Sequence, residues 1–67
     1  MTVQTVTAEY LEGIREGRAT FREHGIPVAA DALDTLAELC RRFDASSPVG
    51  QMYRGERDFW RAKIRNA

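Results

Sequence analysis

The sequence predicts an all-α fold, a small three-helix domain with helices over about residues 8–24, 28–43 and 48–65 behind a mobile N-terminal tail of residues 1–7. Three observations carry this. Apolar residues recur at helical spacing in three separate stretches, two proline-containing breaks divide those stretches, and acids open and bases close the first two. With 67 residues the chain is a single domain (1–67), able to fold alone but marginally, so that association would help it.

In the tail, Val3 and Val6 differ in parity and would point to opposite faces of a strand, which argues against one. Thr7 is a candidate N-cap for the first helix, with Glu9 and Glu12 in the positive first turns and Arg18 and Arg22 toward the negative end. Tyr10, Ile14, Gly17 and Phe21 share one narrow face with Leu11 beside it, and Glu9, Glu12, Glu16 and Glu23 point away. Gly25-Ile26-Pro27 is a helix stop: a left-handed C′ glycine, an apolar residue, then a proline. In the second helix Ala29, Leu33, Leu36, Cys40 and Phe43 form the apolar stripe, with Asp31, Asp34 and Glu38 on the other side and Glu38 placed to pair with Arg42. Ser47 caps the third helix with Pro48 at its first position, and Val49, Met52, Tyr53, Trp60 and Ile64 make its apolar side. Gly50 and Gly55 each weaken that helix by about 1 kcal/mol, so its early part is expected to fray.

Composition and motifs exclude several functions. Ten basic and ten acidic side chains cancel, so no summed field draws the chain to nucleic acid or membrane. No apolar run approaches the length of a membrane span, and the N-terminus lacks a signal-peptide pattern. One unpaired Cys40 fits a reducing compartment, so the expected location is the cytoplasm. Catalytic chemistry is not expected: His24 and Cys40 are lone members without an orienting third group, no cofactor motif is present, and a metal site lacks ligands. The Phe21-to-Val28 segment invites comparison with a DNA-binding helix-turn-helix, but Phe21 stands where a small side chain is needed, and Asp31, Asp34 and Glu38 would repel phosphates.

Two features point toward binding. Gly13 and Gly17, one turn apart, cost about 2 kcal/mol as helix interiors, so another helix packs closely there, whether from this chain, a partner or a second subunit. The charge is also uneven: three arginines against four glutamates give −1 over residues 1–27, two bases against four acids give −2 over 28–45, and five against two give +3 over 46–67. Arg54, Arg57, Arg61 and Arg65 fall within an arc of about 80° on the third helix. They suit phosphates, an acidic protein surface or the acidic side of the second helix. Phe59 and Trp60 project about 100° apart, so a three-helix domain leaves one of them partly exposed. Tyr53, Arg54, Arg57, Phe59, Trp60, Arg61 and Arg65 are therefore the candidate contact residues, since Trp, Tyr and Arg dominate interface hot spots. Glu56, inside the apolar arc, needs a cation, for which Arg18 and Arg22 are candidates.

Over Ser47-Pro-Val-Gly-Gln-Met-Tyr-Arg-Gly-Glu-Arg-Asp-Phe-Trp-Arg61 the chain resembles short proteins encoded by bacteriophages and prophages, which carry similar Gly-Gln-Met-x-Arg-Gly-Glu-Arg-Asp-Phe-Trp segments. The likeness is looser along Tyr10-Leu-Glu-Gly-Ile-Arg-Glu-Gly-Arg18. It carries over no activity. It implies a mobile-element origin, a bacterial host cell and a host- or phage-protein partner; occlusion of a larger machine, as by anti-CRISPR proteins, follows by analogy alone. Weak nucleic-acid binding and a purely structural homo-oligomer, such as a dimer, are the rival expectations.

Overall fold

A computed structural model describes residues 6–66, so the first five residues of the expected tail lie outside the described part. Three helices follow in order: α1 (Ala8–His24), α2 (Ala29–Arg42) and α3 (Pro48–Arg65). The boundaries follow local chemistry. Thr7 accepts a hydrogen bond from the Tyr10 amide at 3.0 Å, and Ser47 accepts one from the Gly50 amide at 3.0 Å, satisfying amides that a helix start leaves orphaned. Gly25 ends α1 by donating its N–H to the Phe21 carbonyl at 2.7 Å. Its φ of 72° and ψ of −163° depart from the expected left-handed helical turn, though a positive φ still favours glycine.

Two boundaries differ from the sequence reading. Val28 belongs to a short 3-10 turn, Ile26–Val28, ahead of α2, because Pro27 restricts its neighbours and removes a donor. Phe43 lies beyond α2 with an extended backbone, and its ring tilts against Tyr53 with centroids 5.5 Å apart.

α3 is the central element. α1 and α2 each pack along it, and they meet each other only slightly. Thr7 pairs with Gln51, Tyr10 with Asp58, Gly17 with Phe59 and Phe21 with Lys63, so numbers rise together and α1 and α3 are parallel. α2 runs the other way, with Phe43 beside Tyr53 and Ala29 clustered with Trp60.

The α1–α3 seam is made by glycine. A Cβ at Gly13 would stand 1.9 Å from the Met52 carbonyl oxygen, and one at Gly55 would stand 2.0 Å from the Tyr10 carbonyl oxygen. Each helix thus presses its backbone into a notch in the other. Gly17 faces the Phe59 ring instead. Gly50 and Gly55 are buried, and α3 is continuous from Pro48, so packing offsets the low helix propensity that pointed to fraying. The buried apolar side chains among the described residues are few, Ala29, Leu36, Cys40 and Trp60, and only Trp60 is buried completely. Phe21, Phe59 and Trp60 meet edge to face, at centroid distances of 5.6–6.1 Å, the preferred arrangement for aromatic rings.

Candidate macromolecule-binding surface

Because α1 and α2 flank α3 without meeting closely, the molecule has two broad faces. On α1, taking Gly17 as the direction of α3, Arg18 and Arg22 lie about 100° and 140° to one side, and Glu16 and Thr20 about 100° and 60° to the other. On α3, taking Gly55 as the direction of α1, Asp58, Arg65, Arg54 and Arg61 lie about 60–120° to one side, with Glu56 about 100° to the other. The hydrogen bond from the Tyr10 hydroxyl to Asp58 at 2.5 Å joins the arginine flanks of the two helices. Thr20 and Glu56, which share a groove, join the opposite flanks. One face therefore carries arginines, and the other carries carboxylates around an apolar groove.

The arginines divide by how folding uses them. Arg15 pairs with Glu12 at 3.1 Å, Arg42 with Glu38 at 3.3 Å, and Arg41 also with Glu38. Arg57 pairs with Asp58 at 3.2 Å and its side chain keeps only 19% of its exposure. Arg54 has a buried Nε without a hydrogen-bond partner among the described residues. Arg18, Arg22, Arg61 and Arg65 are exposed, and none of them forms an ion pair among the described residues. Of the four α3 arginines expected to act together, then, Arg61 and Arg65 are free while Arg54 and Arg57 are partly spent on the fold.

The expected aromatic contacts change more. Trp60 is fully buried at 0% exposure and serves the core. Its indole N–H has no hydrogen-bond partner among the described residues, a cost of about 1–3 kcal/mol that the burial of a large ring offsets. Buried in this way, Trp60 has no face free to stack on a nucleic-acid base. Phe59 and Tyr53 are half-buried against the core. The Lys63 ammonium lies 4.7 Å from the Phe21 ring centroid and 5.4 Å from that of Phe59, covering the rings by cation–π attraction.

Glu56 has no cation among the described residues, contrary to the expected pairing with Arg18 or Arg22. Those arginines sit on the opposite flank of α1. Burial, and then the nearby Glu16 charge, push the Glu56 carboxyl above its ordinary range. It lines a groove of about 370 Å³ whose apolar wall comes from Val28, Ala32, Leu36 and Leu39 of the α2 side, with Tyr53 from α3 and Asp31 at the rim.

Sequence reasoning missed that Arg18 and Arg22 belong to the same basic flank as Arg61 and Arg65. Their i,i+4 spacing and lack of acidic neighbours one turn away were visible, but the parallel pairing of α1 with α3 was not.

Among the described residues no group of three His, Cys, Asp or Glu side chains could hold a metal ion, and no helix is long and apolar enough to cross a membrane. No protein-family model, curated protein or solved structure matches the chain.

Proposed function

We propose that the protein is a non-enzymatic accessory factor of phage or prophage origin that binds a larger host or phage protein through the arginine flank of α1 and α3. The observation that carries this reading is the gathering of four exposed arginines, Arg18, Arg22, Arg61 and Arg65, without ion partners among the described residues, on one face of a chain with no net charge. Exposed Leu11 and half-buried Ile14 on the adjoining stripe of α1 supply apolar contact inside the charged ring. Arginine suits such a surface, since its planar fork meets carboxylates bidentately and sheds water more readily than lysine. An acidic protein surface is the matching partner, and covering it would occlude whatever that surface does.

The test is capture of a partner from bacterial lysate by tagged wild type and by an Arg61→Glu/Arg65→Glu variant. The expected result is normal folding by circular dichroism and partner binding weakened at least about tenfold, or 1.4 kcal/mol. Retained capture by the folded variant would overturn the reading. Salt separates the partner classes: counterion release makes phosphate-based binding collapse between about 50 and 200 mM salt, whereas a protein contact with an apolar centre weakens far less.

A further inference from the structure

The two faces of the molecule are complementary to each other. The groove face offers an apolar wall with Glu16, Glu56 and Asp31 around it, and its half-buried Glu56 has no cation among the described residues. On the opposite face, Leu11, Arg15, Arg18 and Arg22 recur at spacings of four, three and four along the outward stripe of α1, so they line up at helical period. Leu11 is 53% exposed, an apolar residue standing at the head of a row of cations.

We propose that the groove of one copy receives this α1 stripe of a second copy, with Leu11 against Leu39 and Tyr53 and Arg18 reaching Glu16 and Glu56. Charge complementarity selects the occupant: among the described residues no Lys or Arg lines the groove, and Arg18 and Arg22 of the α1 stripe pair with no carboxylate, although its Arg15 is held by Glu12. Folding leaves a reason to associate, because a chain of this length with four buried apolar residues among those described keeps much apolar surface in water. Zero net charge removes the overall repulsion that would oppose it. The donor stripe and the acceptor groove lie on opposite faces, so one copy can use both at once. Such a head-to-tail contact does not close on two copies and grows as a stack. It uses the arginine flank of the proposed function but requires no foreign partner, and loss of partner capture and loss of self-association are separate readouts.

Sedimentation equilibrium of the full chain tests it. At about 50 mM salt the mean mass should climb with concentration toward about 1 mM, the range in which a millimolar contact is half-formed. At about 500 mM salt it should return to 7.6 kDa. Arg18→Gln/Arg22→Gln spoils the stripe and Glu16→Gln/Glu56→Gln spoils the groove, so each variant alone should be monomeric. Their equimolar mixture should form a 1:1 heterodimer that grows no further, since each supplies one intact face. A wild type that stays monomeric at about 1 mM, a wild type that closes as a simple dimer, association that survives both variants, or a mixture that stays monomeric would each overturn the proposal, with circular dichroism confirming that the variants fold.

Discussion

Gly13 and Gly55 each occupy a place that a single methyl group would fill with the backbone of the facing helix. Alanine there gains about 1 kcal/mol of helix propensity but forces two main chains apart, and overpacking costs about 1–3 kcal/mol or more. Gly13→Ala and Gly55→Ala are therefore expected to lower stability by roughly 1–2 kcal/mol net, measured by urea unfolding. Gly17→Ala meets Cδ1, Cγ and Cβ of Phe59 at 2.8–3.3 Å, a side chain held edge to face by Phe21 and Trp60. It too should lower stability, but by less than at Gly13 or Gly55, because a side chain and not the main chain must shift. The spacing Gly-x-x-x-Gly pointed to close packing, yet only the fold distinguishes the glycine that faces backbone from the one that faces a side chain. Glu56 is the residue-scale counterexample. Its place in the apolar arc was legible, and its isolation was not, because a helical wheel does not say which flank of α1 meets it.

Glu56 also sets a pH dependence. A carboxyl whose folded pKa lies above its unfolded value binds its proton more tightly when folded, so its contribution to stability is full below the ordinary pKa and is lost as pH rises through the raised one. With the folded value raised above the ordinary one by burial, ionised Glu56 works against the fold at neutral pH. Glu56→Gln is expected to raise the melting temperature at pH 7, with the gain vanishing below the ordinary carboxylate range. A gain that persisted unchanged in acid would mean that shape, not charge, was responsible.

At the scale of elements, the helix starts were the most legible part of the chain, because capping is local chemistry. Thr7 and Ser47 hold the orphan amides of α1 and α3, and either one changed to alanine should cost about 1 kcal/mol in thermal or chemical unfolding. The α2 start was misplaced by one residue, since the proline-containing turn before it closes as 3-10 helix. The larger surprise is the role of α3. Read alone it was an amphipathic helix with an arginine arc beside its apolar side, weakened by glycine. In the structure it is the shared partner of both other helices, so Gly50, Gly55 and Trp60 are buried and Asp58 is tied to Tyr10 and Arg57. The segment on which the proposed phage origin rests is thus largely the segment that seats this helix. Trp60→Ala, which empties the centre of the core, is expected to cost about 3–5 kcal/mol, enough to unfold a domain of this size, as judged by loss of the circular dichroism signal.

For the whole molecule, the sum of zero charge conceals an arrangement by face. The sequence reading located the imbalance along the chain, +3 in the last 22 residues, because position along the chain is all that counting can see. Parallel packing of α1 on α3 redistributes it: Arg18 and Arg22 from an acidic segment join Arg61 and Arg65, while Glu16 lies near Glu56, which lines the groove. The consequence is a molecule with an arginine-rich side and no basic overall charge, the arrangement on which the proposed binding of an acidic partner rests.

The most direct test of this account reverses charge at two matched places. Arg61→Glu/Arg65→Glu changes the proposed contact flank. Arg41→Glu/Arg42→Glu makes the same change in net charge on α2, where both arginines already pair with Glu38. Partner capture by the two folded variants, side by side with wild type, should be lost in the first and kept in the second. Equal loss in both would make the interaction one of bulk charge, equal retention would place the contact elsewhere, and either result would contradict a binding site on the α1–α3 arginine flank.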